Sequence, residues 1–119
     1  MGWGSKVQIE NAANVAGTEL FSDTVTLSPG ELAHIQIVGN SGGTTDSLII
    51  SVYASLDSDL TNPDTVPLFS FTLDCTDGND NDVSFIVSGV YAFNIGYVRD
   101  GSTDTIVTDA WVRKDGVNL

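Results

Sequence analysis

Positive charge is scarce in this chain: four Lys and Arg stand against sixteen Asp and Glu, for a net charge of −12. Nucleic acid is excluded as a partner on that ground, because binding phosphate takes clustered Lys and Arg. Histidine and cysteine are each present once, as His34 and Cys75. One cysteine gives no intramolecular disulfide framework and suits assembly in a reducing cytoplasm. No apolar run approaches the roughly 18 residues of a membrane-spanning helix. Met1–Lys6 carries no apolar signal-peptide core. The Met-Gly start does not read as a myristoylation signal, because Lys6 stands where Ser or Thr is needed. With so few chemical tools, the chain is expected to bind or to build rather than to catalyse.

What is present is β-sheet texture. The 119 residues are 41% hydrophobic, one domain's worth of chain with enough apolar material for a single core. Asp outnumbers Glu 13 to 3, a bias toward turns and caps and away from helices. Period-two patterns run through Glu19–Leu27, Glu31–Gly39, Ser47–Leu56, Val66–Asp74, Val83–Ser88, Val90–Arg99 and Asp104–Arg113. Lys6–Glu10 adds an eighth strand if it pairs; a short helix over Asn11–Ala16 is the alternative for the residues that follow. Ser28-Pro29-Gly30-Glu31 is a type II turn by composition, which makes its flanking strands a hairpin candidate. Ser88-Gly89 and Asp100-Gly101 mark further tight reversals. The expected fold is all-β: an antiparallel two-sheet sandwich of 7–8 strands, jelly-roll-like, with residues 1–17 as an N-terminal arm or edge strand and 18–119 as the sandwich domain.

Few residue sets carry chemistry. A Ser–His–acid arrangement has to use His34, which alternates with Ala33 and Ile35 on the polar side of its strand. Cys75 lies among Asp74 and Asp77, whose charges raise a thiol pKa and disfavour a nucleophilic role. Paired Asp residues for glycoside hydrolysis would face each other across a cleft, but the acids here fall in turns. Asp77, Asn79, Asp80 and Asp82 offer hard oxygen ligands in one loop and are the candidates for a structural calcium. The EF-hand spacing fails, and the competing reading is turn capping. Asp57, Asp59 and Asp64 form a second acidic loop. Trp3, Tyr53, Trp111 and Arg113 are the candidates for an interface, through aromatic anchors and a planar cation. Arg99, Arg113 and Lys114 fall in the last 21 residues, which suggests contact with an acidic partner patch or with this protein's own acids.

Four stretches together carry a family likeness. They are Ile50-Ser51-Val52-Tyr53-Ala54-Ser55-Leu56-Asp57, Pro67-Leu68-Phe69-Ser70-Phe71-Thr72-Leu73-Asp74, Val87-Ser88-Gly89-Val90-Tyr91-Ala92-Phe93 and Arg99-Asp100-Gly101-Ser102-Thr103-Asp104-Thr105. From Val25 to Lys114 the chain resembles small structural proteins of tailed bacteriophages, namely head decoration (cement) proteins with jelly-roll sandwiches. The likeness lies in strand and turn texture. It implies a non-enzymatic virion protein, assembled in the host cytoplasm, that binds the major capsid protein on the outer shell as a homotrimer or dimer. It implies no cofactor and no catalytic residue, and an arm at Met1–Gly17 that reaches a neighbouring subunit. The alternative is a carbohydrate-binding module, or a phage adhesin or tail-associated sandwich domain, built on Trp111, Tyr53 and the acidic loops.

Overall fold

The computed structural model describes residues 6–56 and 67–116. Nine strands form there: β1 (Val7–Val15), β2 (Leu20–Phe21), β3 (Val25–Thr26), β4 (Leu32–Asn40), β5 (Ser47–Ser55), β6 (Phe69–Leu73), β7 (Asn81–Ser88), β8 (Ala92–Asp100) and β9 (Ile106–Asp115). One sheet has the order β1-β9-β4-β7; the other has β2-β8-β5-β6, with β3 also on β8. All the pairings are antiparallel. β2 and β3 are two pieces of one interrupted edge strand, so the architecture is two sheets of four. The chain passes from sheet to sheet at every connection except β2–β3 and β5–β6. That crossing pattern is a jelly roll.

The turns stand where composition places them, but they do not make hairpins. Glu31 N–H donates to the Ser28 carbonyl at 2.9 Å, and Gly30 has φ 78°. Yet β3 and β4 lie in different sheets, so the expected hairpin across this turn is not formed. The reversals at Gly89 and Gly101 likewise carry the chain across the core. Their φ values of 74° and 125° are the positive angles glycine tolerates. A turn motif encodes a change of direction; the sheet that receives the next strand is decided by packing.

Alternation builds the core. Ala33, Ile35 and Ile37 of β4 face Leu48, Ile50 and Val52 of β5 and Phe93, Ile95 and Tyr97 of β8 across the interior, all fully buried. Ile106, Thr108, Ala110 and Val112 of β9 complete it. Phe85 meets Phe69 and Phe71 edge-on, at 5.7 and 5.3 Å between centroids, and closes the side where β6 and β7 run past each other. Of the expected strand Val66–Asp74, Phe69–Leu73 is strand and Val66 lies outside the described residues; Pro67 has no N–H to give a ladder.

Period two over Glu19–Leu27 puts Phe21 on the side of Val25 and Leu27, but Phe21 is exposed, whereas Ser22 is buried. Phe21 pairs with Gly96 and Val25 with Phe93, so four steps on this strand match three on β8. One extra residue there exchanges inside for outside. Residues 11–15, where a helix was the alternative, are strand: β1 pairs with β9 as far as Val15–Ile106, through two register shifts. Ala12 sits at φ 51° in that irregular stretch, its N–H bound to Asp109 Oδ1 at 2.7 Å.

The Tyr97 hydroxyl is buried and makes no hydrogen bond among the described residues. Burial, with the nearby Glu10 charge, pushes its pKa upward. An unpaired buried hydroxyl costs about 1–3 kcal/mol. Tyr97→Phe is therefore expected to raise the unfolding free energy by about 1 kcal/mol, read from denaturant melts.

The loops at one end are clasped by Asp46. Its carboxylate accepts the N–H groups of Asp104 and Thr103 and lies 3.8 Å from the Arg99 guanidinium. Arg99 donates in turn to the Gly101 and Asp104 carbonyls at 3.1 and 3.2 Å. The Asp104 amide first, then the Thr103 amide, Thr45 and Arg99, hold the Asp46 carboxyl below its ordinary pKa against the effect of burial. A depressed folded pKa stabilises the fold above the unfolded value of about 3.9, and that contribution disappears as pH falls through the folded value. Melting temperature is therefore expected to drop below about pH 4. Asp46→Asn is expected to melt lower at about pH 7 and to follow a flatter curve across the acid window.

Candidate functional site on the outer face of one sheet

The β1-β9-β4-β7 sheet turns a broad face to solvent, and register fixes which side chains meet there. Trp111 of β9 pairs with Gln36 of β4, which pairs with Ser84 of β7. In the next row Arg113, His34 and Ile86 stand side by side. Lys6, just before β1, brings its ammonium 4.6 Å from the centroid of the Trp111 ring, a cation–π contact. Lys6, His34, Gln36, Ser84, Trp111 and Arg113 line a shallow recess of about 300 Å³.

Among the described residues no carboxylate lines this recess, in a chain with sixteen Asp and Glu. Many of the acids gather at the far end of the sandwich, where Asp46, Asp74, Asp77, Asp80, Asp100 and Asp104 occupy the loops and strand ends around β4–β5, β6–β7 and β8–β9. On the recess side, Asp109 and Asp82 stand one row beyond Trp111 and Gln36, both opposite Val38, and Gln36 donates to Asp82 at 3.5 Å. Asp115 stands near the rim of the recess, 3.4 Å from Arg113 Nε; a partly exposed pair of this kind contributes little to stability. The other basic residues near the C-terminus are engaged elsewhere. Arg99 is in the Asp46 clasp, and Lys114 Nζ donates to the Thr26 carbonyl at 2.9 Å.

The interface residues read from sequence are placed as follows. Trp111 and Arg113 lie together on this face. Tyr53 is on the outer side of the opposite sheet, where it packs on Phe21 at 5.7 Å and donates to Glu19 Oε2 at 2.9 Å. Gly96 lies beneath it: a Cβ there would come within 2.9 Å of the Tyr53 ring. Tyr53 therefore serves its own sheet and is not part of the Trp111 recess. Trp3 lies outside the described residues, as do Asp57, Asp59 and Asp64.

The calcium candidates do not converge. Asp77 Oδ1 accepts the Asn79 N–H at 3.0 Å and the Asn81 amide at 2.8 Å. Asp80 accepts from Asn40, and Asp82 from Gln36 at 3.5 Å. The Asn79 side chain donates to the Asp77 carbonyl. Each carboxylate serves a different partner, as turn capping dictates. Among the described residues no group of three or more His, Cys, Asp or Glu could hold a metal ion. Cys75 is buried against the Gly39 and Leu73 carbonyls, and burial raises its thiol pKa. His34 stands between Arg113 and Ile86, with no carboxylate beside it in either ladder.

Lys6, Gln36 and Ser84 were not singled out from sequence as site residues. Alternation puts Gln36 and Ser84 on outer faces, but only the strand order β9-β4-β7 places them beside Trp111. No protein-family model, curated protein or solved structure matches the chain.

Proposed function

We propose that the chain is a non-enzymatic virion structural protein of a tailed bacteriophage, which binds the outer surface of the head shell and stabilises it as a decoration (cement) protein. The observation that carries this reading is the recess bearing Trp111, Lys6 and Arg113, with no carboxylate among its described lining residues, on a jelly roll of net charge −12. An aromatic flanked by cations on a sheet face suits a protein partner: Trp and Arg are among the residues that dominate binding energy at interfaces. Two cations gathered beside one aromatic favour a single orientation on a shell subunit presenting acidic groups. The partner in this reading is the major capsid protein.

Co-sedimentation with expanded head shells of the virus that encodes the chain tests this. Saturable binding is expected, with shells that withstand heat better when decorated. Protein that stays in the supernatant at every concentration would overturn the reading.

A carbohydrate-binding or adhesin role is the second reading, favoured by the half-exposed Trp111 and the neighbouring Gln36 in one recess. Against it stands Lys6, whose ammonium lies over the indole ring where a sugar would stack. Glycan-array binding lost in Trp111→Ala would support this second reading.

A further inference from the structure

Among the described residues the sandwich has four sheet edges, and it treats them unequally. β1 is broken by two register shifts and the positive φ of Ala12. β2 and β3 are two residues each, separated by the irregularity at 22–24. β6 is five residues long and follows Pro67. Such interruptions keep an edge from pairing with another chain. β7 carries none of them. It is eight residues long, pairs residue for residue with β4 from Gly39–Asn81 to Leu32–Ser88 without a shift, and contains no Pro, Gly or Lys. Its only charged residue is Asp82, near one end. Ile86 on its outer side is 55% exposed.

We propose that β7 pairs antiparallel with β7 of a second copy across a twofold axis, joining the two four-stranded sheets into one sheet of eight. The pattern of β7 fits this occupant. Residues opposite one another must share a face, so the axis passes through a residue and not between two. Centred on Phe85, the pairing sets Val83 against Val87, Ser84 against Ile86 and Asp82 against Ser88. No like charges stand opposite, and Ile86 is covered from both sides. An antiparallel edge pair is isologous and closes at two copies, so it makes dimers and not trimers.

The dimer would leave the Trp111 face open and put two recesses on one continuous surface. With strands about 4.8 Å apart, the two β9 strands lie five spacings apart, roughly 24 Å. Each copy would then lend avidity to the other on a repeating partner. The pairing itself does not depend on the partner's identity.

Light scattering on the full chain, over a range of concentration, tests the pairing. The expected mass is twice 12.6 kDa, about 25 kDa. Because each copy carries −12, raising salt from about 20 to about 300 mM is expected to strengthen the dimer by screening. The double variant Ser84→Lys/Ile86→Lys, altered only at exposed positions, is expected to melt as wild type does and to run at 12.6 kDa. A wild-type monomer at every concentration and salt would overturn the proposal. So would a trimer, or a dimer unaffected by the two lysines. Shell binding is scored on the wild-type chain, because Ser84 lines the Trp111 recess, so a failed dimer leaves the head-shell reading standing, and the reverse holds too.

Discussion

Phe93→Ala is expected to lower the unfolding free energy by about 3–5 kcal/mol, the range for deleting a fully buried aromatic. Phe93 has no exposed surface and lies on β8, a central strand that holds β5 on one side and β2 and β3 on the other. Its partners across the ladders are Ala54 and Val25, and neither has the reach to fill the space left behind. A domain of this size has about 5–15 kcal/mol in total, so the variant sits close to unfolding at ordinary temperature. Phe21→Ala is the matched control. Phe21 is 52% exposed, and the cost is expected to stay near 0.5 kcal/mol, roughly as at ordinary surface positions. Urea melts of the two variants separate buried from exposed phenylalanine on the same sheet.

Gly101→Ala carries the next largest effect, about 2–3 kcal/mol. Gly101 has φ 125°, where side chains are strained, and a Cβ there would collide with Asp46 Oδ1. The strain would therefore fall on the carboxylate that holds the Thr103 and Asp104 amides. Relief requires Asp46 to move, which opens the β8–β9 loop and releases Arg99. Gly89→Ala shares a positive φ, 74°, but a Cβ at that position would meet nothing within 4 Å. Only the backbone penalty of about 1 kcal/mol remains. The difference between the two melts measures the clasp apart from the conformational cost of replacing glycine.

Much of the fold was legible because a sandwich strand writes its faces into its alternation. Leu48, Ile50 and Val52, or Ile106, Thr108, Ala110 and Val112, announce an inner side without reference to any other strand. The face of Phe21 was not legible, because one extra residue at 22–24 inverts the alternation and nothing local marks it. Nor was the destination of the turns: Pro29-Gly30 specifies a reversal equally well within a sheet or across the core. The site was legible in part for the same reason. Trp111 and Arg113 share a period-two face in one strand, so alternation alone groups them. Lys6, Gln36 and Ser84 join them only through a strand order that local pattern does not contain. Tyr53, outward like Trp111, belongs to the other sheet, and no reading of a single strand separates the two.

Shell-binding isotherms for three variants test the proposed docking face most directly. Trp111→Ala and Arg113→Glu alter the recess, and Phe21→Ser alters the opposite face. Removing a central aromatic or cationic anchor costs about 2 kcal/mol or more, roughly 30-fold in affinity. With thermal melts close to wild type, the first two variants are expected to bind expanded shells at least about 30-fold more weakly, and Phe21→Ser to bind as wild type does. Undiminished binding by Trp111→Ala and Arg113→Glu, or an equal loss in Phe21→Ser, would contradict the assignment of this face.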